Sequence, residues 1–559
     1  MLRETLTVVR DLPRLHHIAS VMIRYGWGDL VRRLGIANIL ERAGRLLHHK
    51  VSSDINHMDT PVRIRLAMEE LGPAFVKLGQ LLSTRIDMFP PQWITEFEKL
   101  HNHVPPVSYD VLHPHLVEAL GGDPNEIFAQ FDPVPIAAAS IAQVYRARLH
   151  NGAPVVVKIR RPGIEDIIHA DLRILDHIAR LLVSEIPDTR RYDPIHIIAQ
   201  FRRSLQRELD LAREARTVAQ FARQFTDDAT VKIPQIFWQY CSAQLNVQEE
   251  LIGVIGVDTA KLAEAGLDPV VLSERGADAV LHMILEQGHF HADPHPGNVI
   301  FMQNNVIGMI DFGMIGVLTK TRRNQIVDLL HAFIDKDETA FLQVLQDWAG
   351  DHEADESQLA YEVAELMLIY DDLQLKDLDL AALLNDVARL LRDNNLVLPA
   401  DLSLLFKTLI TLEGLGRQLN PDFRMIDRVA PFVEQIILDR LTPQAMWTRG
   451  RQSVLEALHL LSDLPHDVSK LLRQARRGRL RIDFDLKRLD HFGHQLDRAS
   501  NRITMGILTA ALVVGSSIIM TVSGGPKLFG LPLFGLLGFL IAFVNSLWII
   551  FSIWRSGKQ

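Results

Sequence analysis

One short segment constrains this chain more than any other. Two apolar runs, 299–302 and 306–310, are separated only by Gln303-Asn304-Asn305. Asparagine tolerates positive φ, so the pattern predicts a tight β-hairpin. Polar loops flank it, His291–Asn298 on entry and Asp311-Phe312-Gly313 on exit. The strands of a hairpin run back on themselves, so both loops must lie at the same end of it. Asp293 and Asp311 are thereby forced together, whatever the rest of the chain does.

The composition of the two loops suggests their chemistry. His291-Ala292-Asp293-Pro294-His295-Pro296-Gly297-Asn298 reads His-x-Asp with an asparagine five residues after the aspartate, the layout of a kinase catalytic loop. Asp311-Phe312-Gly313 stands where a kinase carries its metal-binding aspartate. Magnesium is a hard cation that takes oxygen ligands, which Asn298 and Asp311 would supply; Asp293 would orient or deprotonate a nucleophile. Upstream, 142–149 and 154–159 flank Asn151-Gly152 and predict a second hairpin, ending in Val155-Val156-Val157-Lys158. That strand resembles the one whose lysine holds nucleotide phosphates. Residues 164–224 have a helical period, and Glu208, Asp210 and Glu214 fall in one predicted helix as carboxylate partners for Lys158. Alone, each residue has a bland reading: a solvated strand end for Lys158, surface charges for the glutamates. His289, His291 and His295 read better as hydrogen-bonding scaffold than as metal ligands. The ordered set is what carries information.

The 559 residues exceed one ordinary core and predict two or three units. With 48% hydrophobic and 23% charged residues the chain is globular, and its net charge of -9 excludes a global basic footprint for nucleic acid. The lone Cys241 excludes an internal disulfide and a cysteine-cluster zinc site. Residues 1–26 lack the long apolar core of a signal peptide and read as an amphipathic helix. From 60 to 100 the helical period is clear, with Phe89-Pro90-Pro91 expected to end it in an extended exit. Residues 320–450 read as helices broken at Leu398-Pro399 and Asn420-Pro421-Asp422.

Two runs near the C-terminus, 503–522 and 531–554, hold no charged residue, and each has the length to cross about 30 Å of hydrocarbon. They predict a transmembrane hairpin. Arg498 and Arg502 before it and Arg555 and Lys558 after it outnumber Lys527 in the turn, placing both ends on the cytoplasmic side. Gly506 and Ala510, and Gly538, Ala542 and Ser546, recur at four-residue spacing, which would pair the two spans or dimerise the protein. Arg473, Arg476, Arg477 and Arg479 either meet anionic head groups or form a solvated helix face.

The loop His291–Asn298 together with Lys77-Leu78-Gly79-Gln80 resembles the UbiB family of atypical, protein-kinase-like proteins, over roughly residues 60 to 423. The resemblance implies that Ile136, Ala137, Ala138, Ala139, Ser140, Ile141, Ala142, Gln143 and Val144 form the family's alanine-rich nucleotide loop. It implies Lys158 as the ATP lysine, Glu214 as its partner and Asp293 as the catalytic aspartate. Asn298 and Asp311 would be the magnesium ligands. Lys77, Gly79 and Gln80 would meet Glu208 and Asp210 of a Glu-x-Asp motif, covering the place of a protein substrate. Leu412-Glu413-Gly414-Leu415-Gly416-Arg417 resembles a family segment of unassigned chemistry. Alanine disfavours the positive φ that glycine adopts freely, so such a loop would hold nucleotide differently from a glycine-rich one.

The expected fold is therefore α+β, a bilobal protein-kinase-like fold with a helical N-terminal extension and a C-terminal transmembrane hairpin. Its expected parts are a helical segment 1–59 and an extension 60–131 carrying the Lys-x-Gly-Gln motif. A kinase-like domain 132–450 follows, with lobes meeting near residue 250, then juxtamembrane helices 451–502 and spans 503–554. The expected function is that of an ATP- and Mg2+-dependent kinase-like ATPase of the inner membrane. It would support ubiquinone biosynthesis by acting on or presenting isoprenoid quinone precursors, alongside quinone-biosynthesis enzymes, with a homodimer allowed by the small-residue faces. The rivals are a true kinase for a small molecule or protein and a nucleotide-gated scaffold without turnover.

Overall fold

The computed structural model describes residues 2–42, 57–100, 105–349, 355–370, 378–394, 396–440, 504–519, 521, 526–528 and 531–556. The chain divides into two compact units, Met1–Met446 and Trp447–Gln559. The first gathers the expected N-terminal segment, the extension and both lobes into one body.

The strands of this unit, in chain order, are β1 (Gln130–Phe131), β2 (Ala137–Ala138), β3 (Ala142–Arg148), β4 (Pro154–Arg160), β5 (Val231–Lys232), β6 (Leu245–Glu249), β7 (Val254–Ile255), β8 (His289–His291), β9 (Val299–Met302), β10 (Val306–Met309) and β11 (Ile315–Val317). The upper sheet has the order β1-β3-β4-β6, with β2 also paired to β3. Val155, Val157 and Ile159 are buried on one face of β4, and Lys158 lies between two of them, so strict alternation aims it at the opposite face. The β3–β4 turn forms as its sequence requires: Gly152 takes φ 84°, and the Asn151 carboxamide oxygen accepts from the Ala153 amide at 3.0 Å. Antiparallel β6 sets Asn246 opposite Lys158.

Below this sheet, β9 and β10 form the expected hairpin, with Val306 opposite Met302 and Met309 opposite Val299. Asn304 and Asn305 carry the turn at φ 61° and 56°. β8 pairs with β11, so the strand before the entry loop is bonded to the strand after the exit loop. A large apolar core beneath them is built by Pro269–Leu281, Lys320–Ile334, Leu380–Asp393, Ala400–Leu419 and neighbouring helices.

The N-terminal helix Leu2–Arg24 forms as expected and packs on Ile164–Glu185, where Arg14 meets the buried Asp171 at 2.6 Å and Arg173 meets Asp11 at 2.7 Å. The double proline acts otherwise than expected. The preceding helix, Pro73–Leu82, has already stopped, and Pro90 is the extended cap of a new helix whose first residue is Pro91. Proline lacks only an amide that a first turn does not use, so it starts a helix as readily as it ends one. The expected single helix for Glu208, Asp210 and Glu214 is also corrected. Pro194–Glu208 ends there, and Asp210, extended at φ -101° and ψ 93°, caps Leu211–Gln224 by accepting from the Arg213 amide. Aspartate's preference for capping wins over the continuous apolar period.

In the second unit the first apolar run is helical over 504–519 and the second over Leu533–Ser556. Gly538 lies where an added Cβ would strike Ser516, and Ala542 and Ser516 are buried, so the small-residue face packs the two helices together. Among the described residues, no helix is long and apolar enough to cross a membrane, so the two expected spans are not supported. The expected juxtamembrane helices at 451–502 lie outside the described residues.

Candidate active site

Strand β4 and helix Leu211–Gln224 bring the first charged pair together. Lys158 Nζ lies 2.6 Å from Glu214 Oε1 and 3.7 Å from Asp311 Oδ1. Burial alone would lower the Lys158 ammonium, but Glu214 and then Asp311 outweigh it and hold it above its ordinary value. Asp311 responds in kind: Lys158 above all, with Lys77 adding, holds its carboxyl down to about 2 against the opposing pull of burial. Burial pushes the Glu214 carboxyl up against the opposing pull of Lys158, whereas Lys158 and Asp311 are both held in their charged forms, ready for a ligand that carries both negative charge and a hard cation.

Asp311 leaves β10 in the left-handed region at φ 58°, and its Oδ1 accepts from the Gly313 amide at 3.3 Å. A non-glycine residue is uncommon there, and aspartate tolerates it through such short local bonds. Phe312 is buried against Phe221 at 4.7 Å and His291 at 5.0 Å, which fixes the turn from below.

His291 joins the two loops. Its Nδ1 accepts from the Asp293 amide at 3.1 Å, so the proton resides on Nε2, which donates to the Ile310 carbonyl at 3.2 Å. Burial lowers its pKa and keeps the ring neutral. Both nitrogens are spent on backbone, so His291 is a strut and not a metal ligand. Asn298 is similarly placed: Nδ2 donates to the Asp293 carbonyl at 3.1 Å, which leaves its Oδ1 as the ligand-competent atom. The Asp293 carboxylate is only partly covered and lies 3.7 Å from His295 Nε2. These donors fit magnesium, which takes one or two protein oxygens and fills its remaining positions from phosphate and water.

The helix Pro73–Leu82 closes one side. Lys77 Nζ pairs with Glu208 Oε2 at 3.1 Å; burial would lower it, but Glu208 and then Asp311 raise it. Gly79 is buried where an added Cβ would collide with Leu100 and come within 2.9 Å of Met68 Sδ. Gln80 Nε2 donates to the Leu100 carbonyl at 2.7 Å. Of the Glu-x-Asp motif, Glu208 meets this helix while Asp210 serves its own helix cap.

Residues Ile136–Val144 form β2, a tight turn and the start of β3, and none of them has a positive φ. Ile136 is exposed, while Ser140, Ile141, Ala142 and Gln143 are buried. The Gln143 side chain is committed elsewhere: Oε1 accepts from the Val107 amide at 2.6 Å and Nε2 donates to Tyr145 Oη at 2.8 Å. Arg161 ties this loop to residue 105, donating to the Ala139 carbonyl at 2.9 Å and the Pro105 carbonyl at 3.0 Å.

Sequence reasoning missed a clasp behind the lysine helix. Arg85 and Asp87 form a buried two-point ion pair at 2.9 and 2.7 Å. Asp87 also accepts from the Leu398 amide at 3.1 Å and Ser403 Oγ at 3.2 Å. Lys407 Nζ donates to Ser83 Oγ at 2.7 Å, and its neighbour Thr408 donates to the Ala292 carbonyl at 3.2 Å. An Arg-x-Asp placed between apolar runs was the available signal. The Leu412–Arg417 segment also acquires a physical account. Glu413 is buried, accepting from the Ala381 amide at 2.6 Å and Arg417 at 2.9 Å, and Gly416 leaves room for the Phe423 ring.

A strand lysine paired to a helix glutamate, above an aspartate loop and an Asp-Phe-Gly turn, defines a protein-kinase-like site. Residues 99–345 match the ABC1 atypical kinase-like domain, 363–424 the UbiB helical domain and 487–555 the ABC1/UbiB kinase-like C-terminal domain. The chain is 32% identical over 517 residues to a "Probable protein kinase UbiB" of Aeromonas hydrophila, covering 90% of this chain and 93% of that one. It is 34% identical over 471 residues to the protein of that name from Pseudomonas putida, covering 82% and 86%. It is 29% identical over 550 residues to an "Uncharacterized protein in hydrogenase 1 5'region" of Clostridium pasteurianum, covering 97% and 99%. The chain belongs to the UbiB family of atypical kinase-like proteins.

Proposed function

We propose that the chain binds Mg-ATP between Lys158 and the Asp293, Asn298 and Asp311 loops, and turns it over in support of ubiquinone biosynthesis. One observation carries the reading: Lys158, Glu214 and Asp311, remote in sequence, converge within 3.7 Å. Lys158 would hold the α- and β-phosphates, with Glu214 fixing its position, and Asp311 and Asn298 would hold the magnesium. Magnesium, when bound, neutralises charge on the phosphates. Asp293 then orients the attacking oxygen and accepts its proton. Lys77, raised by the carboxylates it faces, keeps the helix Pro73–Leu82 against the site and narrows access for a protein acceptor. That favours water or a small molecule over a protein chain as the acceptor.

The ubiquinone assignment rests on the family and on the name its bacterial relatives carry. Attachment to the inner membrane is supported by the apolar side chains the second unit exposes, among them Ile507, Val514, Phe534, Leu540 and Phe543, and a cytoplasmic first unit by the basic residues Arg498, Arg502, Arg555 and Lys558 that flank the two apolar runs. The partners proposed are isoprenoid quinone precursors and the enzymes that process them. The test is ATP turnover by the full chain in lipid or detergent, for wild type and Asp311→Asn. The substitution is expected to remove turnover; equal rates would overturn the catalytic claim.

A further inference from the structure

The N-terminal helices enclose an apolar cleft of about 350 Å3 whose lining includes none of the charged residues of the active site. Its wall is drawn from Leu2–Arg24, Gly28–Arg33, Thr60–Leu71, Pro73–Leu82 and Ile164–Glu185, and exposes no polar atom. Met22, Leu30, Ile64, Leu78 and Ile178 all face it. A polar groove would hold water, but an apolar one of this size is poorly wetted and costly to leave empty. The volume lies within the range of small-molecule sites.

The wall also says what fits. A protein helix about 10 Å across would need roughly 800 Å3 for two turns, more than the cleft offers. An extended peptide would carry amide and carbonyl groups into a wall with nothing to bond them. A hydrocarbon chain has neither problem, and at about 30 Å3 per methylene-sized group roughly a dozen carbons fit. We infer that this cleft is a binding site for the prenyl or alkyl tail of a lipid. The reading above supplies only the choice of a prenyl probe.

The position of the cleft gives the site a consequence. Phe75, Leu78 and Leu82 line it from the helix that also carries Lys77, whose ammonium pairs with Glu208 beside the nucleotide lysine. A tail that fills the cleft braces this helix from behind, so occupancy and the Lys77–Glu208 contact are coupled through one rigid element.

The test is photolabelling of the full chain, in mild detergent, with a farnesyl chain that bears a diazirine, followed by peptide mapping. Labels are expected on 15–36, 64–89 and 175–198. The cleft-filling substitution Ile178→Trp is expected to reduce them at least fivefold while leaving ATP turnover without lipid unchanged. Leu182→Asn, which puts an amide into the wall, is expected to act likewise without adding bulk. Labelling confined to 504–519 and 533–556, or cleft labelling that both variants leave intact, would overturn the inference. Labelling does not depend on turnover, so an inactive but cleft-labelled protein would refute the catalytic reading alone.

Discussion

Replacing Asp87 with alanine tests the clasp that holds the lysine helix to the C-terminal helices. Asp87 is 2% exposed and Arg85 7% exposed, so the pair is shielded from solvent. The substitution strands the Arg85 guanidinium and removes the acceptor for the Leu398 amide and the Ser403 hydroxyl. Breaking a buried pair from one side costs about 3–5 kcal/mol, most of it the penalty of a buried, uncompensated charge. A chain of this size does not unfold in one step, so a global midpoint is the wrong measure. Amide exchange at Met88 and Phe89, whose amides bond the Arg85 carbonyl, reports the local opening. At 1.4 kcal/mol per decade, the lower figure corresponds to a fall in protection of roughly a hundredfold. The double variant Arg85→Met/Asp87→Ala removes the stranded charge and should recover most of that loss. A fall of less than about fivefold for Asp87→Ala, or no recovery in the double variant, refutes the reasoning.

Other outcomes follow from single contacts. Gly416→Ala places a methyl group on the buried Phe423 ring and should destabilise this helix end by about 1–3 kcal/mol, read as faster exchange of the Asn420 amide that bonds the Gly416 carbonyl, whereas Gly414→Ala, which meets nothing, should not. Asp210→Ala should cost about 1 kcal/mol of helix-start stability, seen as faster exchange of the Arg213 amide, and Asp210→Asn should retain most of it. The depressed Asp311 carboxyl stabilises the fold above its ordinary value near 4 and loses that contribution as pH falls towards 2. Because its side chain is 44% exposed, the gap between nucleotide-free wild type and Asp311→Asn should close by only about 1 kcal/mol or less over that window; a pH-independent gap would contradict the assignment.

The hairpins were legible because turn chemistry is local. Asn151-Gly152 and Asn304-Asn305 each dictate a reversal, and the reversal alone brings Asp293 and Asp311 to one end of the β9–β10 pair. The residue pattern alone left Glu214 as one of three carboxylate candidates for Lys158, and only the family resemblance singled it out. The physical reason for that choice is the helix break at Asp210, which an unbroken apolar period conceals. The Arg85–Asp87 clasp joins residues more than 300 positions away, and no periodicity carries such information. The commitment of Gln143 to Val107 was hidden for the same reason: a glutamine beside alanines looks like loop lining until its partner is known. The double proline misled because one residue type serves both to end and to begin a helix.

The interruption at Asp210 shapes how the charged cluster can move. Glu208 and Glu214 sit on separate rods with a two-residue joint between them, so the partner of Lys77 is not rigidly yoked to the partner of Lys158. The covering helix can let go of its glutamate while Lys158 keeps its own, so the opening of that side of the site and the poise of the lysine are adjusted by separate hands.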